Sequence, residues 1–518
     1  LAARDAGVTL GTGYPGTPST EILEAFSAIG GKAQWAPNEK VALEVGLGAA
    51  FGGARALVTM KHVGVNVAAD PLFTIAYTGV SGGLVLISAD DPGMHSSQNE
   101  QDNRNFARAA GVPMLEPADA QETYDFFRAA LEISQRWGTL VLLRMTTRVC
   151  HSKGIVTPWS EPAAPSRPHF ERDIASRLML PGNARPAHHK LRAKLHDILQ
   201  WNEKSPLNRE YPGGKELGII TSGVSALHVL EGIPAASVLK LGMAYPFPAE
   251  RVRRFREKVD RCVVIEEGDP YLVENCRFAG IDVEDKAEMY RFGEFNVDRV
   301  RRIVNNDTSP ETPEPPGKPP QLCADCPHRT VFRALSNLDC IVSGDIGCYT
   351  LGGRPPFSAM DTCVCMGASI GVGLGLRHVL PKEEALRVIS VIGDSTFMHS
   401  GITGLVEMVY NPPPTGHVVL IVDNGTTAMT GLQEHPGTGR HLDHTPGAQI
   451  LIEDIARSLG IPQIHVTDPT ADWAGFEKLV ADSLASRALV CIIARKPCAL
   501  AAPKIEAYEC AACAEAAP

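Results

Sequence analysis

The 518-residue sequence contains no run of 18 apolar residues, so no membrane-crossing helix is expected. It has no excess of positive charge. Its 49 lysines and arginines stand against 59 aspartates and glutamates, a net charge of −10, which disfavours a basic nucleic-acid-binding face. No repeat at solenoid spacing is evident. No secretory leader is visible, although the sequence opens on Leu1 rather than Met. Cysteine is almost missing from the first half: residues 1–261 hold only Cys150 of the 13 in the chain, whereas six fall between Cys323 and Cys365. That distribution excludes a small disulfide scaffold. It fits a chain kept reduced in the cytoplasm, with some thiolates bound to metal. Cys150, Cys262, Cys276 and Cys340 read as small buried apolar residues.

What is present is globular. Apolar residues make up 44%, enough for several cores, and the length suggests three or four domains. Residues 1–160 alternate helix-like segments with short apolar runs at 56–60, 83–88 and 139–145, the pattern of buried parallel strands in an α/β domain. Thr17 reads as a helix N-cap with Pro18 at the first helical position, and residues 38–51 as a small-residue helix. Residues 161–213 are proline-rich and then charged and helical, a surface connector. Residues 214–310 return to α/β alternation, with strands at 217–221 and 262–266. A proline-rich linker covers 311–321, a last α/β unit 322–503, and a tail 504–518.

In the last unit an apolar strand ends in Gly393-Asp394-Ser395, a helix follows, and the next strand ends in Asp423-Asn424-Gly425-Thr426. Ligands of open parallel sheets sit at the carboxyl ends of strands. The Asp394 carboxylate, the Asn424 side-chain oxygen and the Thr426 carbonyl make a hard oxygen set suited to Mg²⁺ holding a diphosphate, and the glycines let backbone approach phosphate. Each turn alone is commonplace. The pair, about thirty residues apart, is the signature of thiamine diphosphate binding.

Several segments carry a resemblance. Residues 423–433 (Asp423 through Gln433) resemble the stretch after the thiamine motif in 2-oxoacid:ferredoxin oxidoreductases. Tyr14-Pro15-Gly16-Thr17-Pro18-Ser19-Thr20 is similar to their substrate loop. Cys323-Ala324-Asp325-Cys326-Pro327-His328-Arg329 and Gly344-Asp345-Ile346-Gly347-Cys348-Tyr349-Thr350 narrow the likeness to alpha subunits of the indolepyruvate type. The resemblance implies a multidomain α/β fold. Two thiamine-binding parallel-sheet domains, pyrimidine-binding at 1–160 and diphosphate-binding at 322–503, would flank a middle domain like the C-terminal domain of transketolase.

It also implies site residues. Thiamine enzymes set a carboxylate against the pyrimidine ring. Glu39 resembles that activating glutamate, with Glu44 the rival on the same helix. Thr17 is placed to contact the 2-oxo acid. Arg104, His62 and His95 are alternative cations for its carboxylate. Gly367, with Gly393, Asp394, Ser395, Asn424 and Thr426, is a cofactor-binding candidate. Cys323, Cys326, Cys348 and Cys498 would bind one [4Fe-4S] cluster, with Cys363 and Cys365 the competing pair. At the end of the chain, Cys510-Ala511-Ala512-Cys513 starts a ferredoxin-like run, but Ala516 stands where a third cysteine is expected. A ferredoxin-like domain is therefore expected to be lost, degenerate or outside Pro518.

The implied activity is oxidative decarboxylation of aryl 2-oxo acids such as indolepyruvate to aryl-acetyl-CoA. Thiamine diphosphate and Mg²⁺ would be bound, coenzyme A would be co-substrate, and electrons would pass through iron–sulfur to ferredoxin. A smaller beta subunit would complete the enzyme in a homodimer of alpha–beta pairs, with no nucleic acid or membrane partner. The alternatives are a non-oxidative thiamine-dependent decarboxylase and a non-catalytic subunit that keeps the fold.

Overall fold

The structure, a computed structural model, describes residues 1–164, 166–312 and 319–515. It divides into two compact units, Leu1–Thr312 and Pro313–Pro518. Ala516 and Pro518 lie outside the described residues, as does most of the proline-rich linker.

The first unit begins with strands β1 (Leu10–Gly13), β2 (Ala33–Trp35), β3 (Arg55–Lys61), β4 (Gly83–Asp90), β5 (Met114–Leu115) and β6 (Leu140–Thr146). It continues with β7 (Arg209–Tyr211), β8 (Gly214–Ser222), β9 (Ala236–Leu241), β10 (Met243–Tyr245) and β11 (Arg261–Ile265). The first sheet runs β10-β5-β6-β4-β3-β1-β2 and is parallel apart from β10, which lies antiparallel to β5. All eight residues of β4 are buried. Burial of both faces is why these strands read as unbroken apolar runs rather than alternating ones. Each fully buried Val, Leu or Ile contributes about 1.5–3 kcal/mol relative to exposure.

The chain leaves β1 toward β2 on one side and β3 toward β4 on the other. The carboxyl ends of β1 and β3 thus flank a topological switch point, where open parallel sheets place their ligands. The residues 14–17 loop leaves one end, and Lys61-His62 the other.

The second sheet, β11-β8-β9-β7, carries the middle region. It does not stand apart from the first. One apolar core joins Leu84 and Leu142 of the first sheet to Val264 of the second and to Leu272 and Cys276 on the helix Tyr271–Phe278 that follows it, and β10 completes the first sheet's edge. The connector is also structured. Its helix Pro181–Asn202 buries Ala187, Leu191 and Ile198, and the Asn202 side chain donates to the carbonyls of Met243 and Pro246.

Two expectations change locally. The first helix after β1 is Thr20–Ala28 with Ser19 at its N-cap, so neither Thr17 nor Pro18 starts it. Instead Ser19 folds back, its N–H and hydroxyl both donating to the Gly16 carbonyl at 2.7 Å. Cys262 and Cys276 are buried, whereas Cys150 and Cys340 are only half-buried.

The second unit contains β12 (Ile341–Gly344), β13 (Thr362–Cys363), β14 (Val388–Gly393), β15 (His417–Asp423), β16 (Gln463–Thr467) and β17 (Leu489–Arg495). Its sheet is parallel throughout, in the order β13-β12-β14-β15-β17-β16. Here the switch point falls between β12 and β14, whose ends carry Asp345 and Asp394.

Candidate active site

At the switch point of the first unit, Asn38 caps the helix Glu39–Phe51 by accepting from the Val41 N–H at 3.0 Å. This cap places Glu39 on the first turn with its side chain buried, 5% exposed. Gly64 lies against it. A β-carbon on Gly64 would stand 2.6 Å from Glu39 Oε1. Glu44, one turn on, is exposed and pairs with Lys40 on the outer face. His62 is fully buried. Its Nε2 lies 3.2 Å from the Asn99 carbonyl oxygen, and its Nδ1 has no partner among the described residues. Thr17 is half-buried in the loop after β1.

The other candidate cations are placed differently. Arg104 is 1% exposed. Its Nε and one terminal nitrogen donate to Asp102, the other to Glu266 at 2.5 Å, with further bonds to the carbonyls of Glu267 and Asp269. Those bonds tie the first sheet to the second. His95 is exposed and faces Glu294 at 3.5 Å.

At the switch point of the second unit, Asp394 is 3% exposed. Its Oδ1 accepts from the Ser395 N–H at 2.9 Å. Its Oδ2 accepts from the Gly425 N–H at 2.8 Å and lies 3.2 Å from His435 Nε2. Burial opposes its charge, but His435 and the Ser395 N–H outweigh that and hold the carboxyl below the usual range. The adjacent Asp423 is pushed up to about 6 by burial and by the charge of Asp394, against the pull of Arg495.

Asn424 and Thr426, both buried, follow on the β15 loop. Asn424 Oδ1 accepts from the Thr426 N–H at 3.2 Å. Gly425 has a positive φ of 70°, which lets the loop bring its N–H to Asp394. The Thr427 hydroxyl is buried without a partner among the described residues. A cavity of about 320 Å³ opens beside Asp394, lined also by His435, Arg440 and Arg495. An all-oxygen donor set at strand ends, an orphaned hydroxyl and an adjacent cavity with guanidinium groups fit a divalent cation and a diphosphate.

Two glycines act by packing. The Tyr349 ring fills the space a side chain on Gly393 would need, at 2.6 Å. Gly367 turns at φ 87° against Ser400, so that its N–H reaches Asp345.

The structure also brings Cys323, Cys326, Cys348 and Cys498 into one electrostatic neighbourhood. Burial and then the charges of Cys326, Cys498 and Cys323 raise the Cys348 thiol to about 11. Burial raises Cys326 too, and Cys323 and Cys498 add to it. Burial and Asp345 raise both Cys363 and Cys365, and Cys365 raises Cys363 further. As placed, no three or more His, Cys, Asp or Glu side chains among the described residues are arranged to hold a metal ion.

Two links join this neighbourhood to the β15 loop. The Cys498 N–H donates to the Asn424 carbonyl at 2.9 Å, and His328 Nε2 lies 3.3 Å from Asn424 Nδ2. Burial lowers His328 to about 4, so it is neutral near pH 7 and accepts the Asn424 amide hydrogen. Sequence reasoning passed over His328, although it directly follows the Cys-x-x-Cys-Pro motif. It also passed over Lys61, although that residue directly precedes His62 at a strand end, and over His435, for which no local signal exists.

Residues 1–175 match the model of the pyruvate flavodoxin/ferredoxin oxidoreductase thiamine-diphosphate-binding domain, and residues 345–494 that of the C-terminal thiamine pyrophosphate-binding domain. Among curated proteins, the indolepyruvate oxidoreductase subunit IorA of Methanothermobacter thermautotrophicus is 39% identical over 96% of this chain and 85% of its own. The corresponding subunit of Archaeoglobus fulgidus is 38% identical over the same shares. That of Pyrococcus horikoshii is 36% identical over 94% of this chain and 82% of its own. The chain belongs to the IorA family of 2-oxoacid:ferredoxin oxidoreductase subunits. Members are thiamine diphosphate-dependent 2-oxoacid oxidoreductases, and both matched domains are present here. Among the described residues, no helix is long and apolar enough to cross a membrane.

Proposed function

We propose that this chain, with a smaller beta subunit, oxidatively decarboxylates aryl 2-oxo acids of the indolepyruvate type. Per turnover the 2-oxo acid loses carbon dioxide, the acyl group becomes a thioester of coenzyme A, and two ferredoxins each accept one electron. The observation that carries the reading is the Asp394–Asn424 pair at the switch point, stitched through Cys498 and His328 to a cysteine neighbourhood. The names of the IorA relatives support the aryl substrate.

Thiamine diphosphate, when bound, supplies the electron sink that lets carbon dioxide depart. Asp394, Asn424 and Thr426 would hold Mg²⁺ and, with it, the diphosphate. Glu39, buried and fixed by its cap, holds a proton at N1′ of the pyrimidine and so sets its tautomer. Thr17, on the loop after β1, and His62, which opens the helix directly after β3, would face the reacting end of the substrate. Arg104 holds the two sheets of the first unit together around them. Cys323, Cys326, Cys348 and Cys498 would hold a [4Fe-4S] cluster, which supplies one-electron transfer. Thiamine sites commonly form between chains, so the working assembly is proposed as a dimer of alpha–beta pairs in the cytoplasm.

The test is anaerobic. The complex is loaded with thiamine diphosphate and Mg²⁺ and mixed with indolepyruvate, with and without coenzyme A, while visible absorbance is followed. Substrate-dependent bleaching supports the proposal. An iron-free protein that still releases carbon dioxide replaces it with a non-oxidative decarboxylase. Unchanged turnover after Glu39→Gln, with thiamine diphosphate still bound, identifies a non-catalytic subunit.

A further inference from the structure

A 2-oxo acid brings a carboxylate, and a partly buried site must answer it with a cation. The arginines near the first switch point are already committed. Arg104 is enclosed by Asp102 and Glu266, Arg144 donates to Asp90 and Glu116, and Arg148 donates to Glu294, which His95 also faces. Lys61 is not. It is the last residue of β3, one of the two strands that flank the switch point, and its side chain is 10% exposed.

Its Nζ donates to the Ser96 carbonyl at 2.7 Å and to the Ser96 hydroxyl at 3.2 Å. The nearest carboxylate, Asp91, is 4.0 Å away, beyond hydrogen-bonding reach. Asp91 is occupied elsewhere, accepting from the N–H groups of His95 and Ser96 and the hydroxyls of Ser97 and Thr147. A buried ammonium whose one counter-charge stands at 4.0 Å without a hydrogen bond, and whose donors meet only uncharged Ser96, is the feature an anionic ligand would complete.

The loop carrying Thr17 lies along the same side chain. A β-carbon on Gly16 would stand 3.0 Å from Lys61 Cβ, and the Ser96 hydroxyl reaches the Thr17 carbonyl at 3.5 Å. Gly16 thus leaves the lysine stem room beside the residue placed to meet the 2-oxo group. Two residues after His62, Gly64 touches Glu39. Lys61, Thr17, His62 and Glu39 therefore share one end of one sheet.

We propose that Lys61 is the specificity-determining residue that binds the carboxylate of the 2-oxo acid, beside Thr17. Burial lowers its amine to about 8, against Asp91, so it is still charged at neutral pH. An arriving carboxylate restores the stabilisation that burial removed.

The inference rests on the proposed function and deepens it. The test compares two inhibitors of indolepyruvate turnover by the assembled, loaded complex: indole-3-lactate and its uncharged primary amide. Wild type should bind the acid at least about tenfold more tightly than the amide, the size of a charge-assisted hydrogen bond. In Lys61→Met the preference should fall to within about twofold. KM for indolepyruvate should rise about tenfold, and kcat should stay within about threefold. Lys61→Arg should recover part of the preference. A role confined to holding the 91–97 loop would move both inhibitors together and leave their ratio intact. A folded Lys61→Met with the wild-type ratio overturns the inference. If that variant does not fold, the wild-type ratio and Lys61→Arg decide, and a wild type without preference for the acid overturns it. A wild-type complex that turns over no 2-oxo acid refutes the functional reading instead. Calorimetric binding of the two probes then still gives the ratio.

Discussion

Gly64→Ala is the sharpest perturbation of the proposed activating glutamate, because it leaves that residue's chemistry intact and changes only its place. The added methyl would lie 2.6 Å from Glu39 Oε1, 2.7 Å from Cγ and 2.9 Å from Cδ, where ordinary contact begins at 3.4 Å. The carboxylate must then retreat by about 0.8 Å. Gly64 sits in the helix His62–Val67 without a left-handed backbone, so alanine itself is favoured there by up to about 1 kcal/mol. Overpacking costs roughly 1–3 kcal/mol in the opposite direction, and stability should change little. Catalysis should not be spared, since a displacement near 1 Å in a positioned group costs about a hundredfold. The expected result is a kcat lower by about 10–100-fold, with the thermal midpoint within roughly 4 °C and thiamine diphosphate affinity within about threefold. The assay is coenzyme A-dependent ferredoxin reduction by the complex, beside a melting curve. A folded variant with kcat within twofold of wild type would refute the placement of Glu39 at the reacting end.

Three further outcomes are expected. Cys348→Ser should abolish iron incorporation on anaerobic reconstitution while Cys365→Ser leaves it unchanged; iron analysis giving the reverse would reassign the cluster ligands. His417 is fully buried against Ser390 and lowered to about 3 by burial and by Arg377. A depressed histidine contributes stability above its unfolded value near 6.5 that is lost as pH falls toward the folded value, about 2 kcal/mol by pH 5. His417→Gln should flatten that acid limb of the melting temperature, and an unchanged limb would show that other groups produce it. Arg104→Met removes the hydrogen-bonded counter-charge of buried Asp102 and Glu266, leaving Asp102 with Arg144 at 3.6 Å, and the first unit should lose about 3–5 kcal/mol. A urea midpoint equal to that of wild type would show that the network is dispensable.

Much of the fold is written locally. β3, β4, β14 and β15 are unbroken apolar runs because both sheet faces are covered, and each ends within two residues of where that pattern puts it. The motifs at 393–395 and 423–426 are legible for the same reason: each immediately follows such a run, so the strand end fixes where Asp394 and Asn424 stand. The helix bearing Glu39 is legible in its run of small residues, and it starts at the capping Asn38; the choice of Glu39 rests on the resemblance.

Other features have no local signature. β5 is two residues long, and β10 owes its existence to an edge supplied by a distant segment. The residues 16–19 turn is set by Ser19 folding onto Gly16, which delays the helix past the proline that sequence favours as its start. Arg104 looked like a loop cation, but docking of the second sheet buries it between carboxylates.

By itself, then, the sequence determined the parallel-strand architecture, the thiamine motif and the helix bearing Glu39, because each depends on neighbours within a few positions. Only the tertiary structure decided that His328 backs Asn424, and that Lys61 rather than Arg104 keeps a charge with no hydrogen-bonded carboxylate. Those outcomes depend on strand order and register, which bring together residues that no spacing along the chain relates.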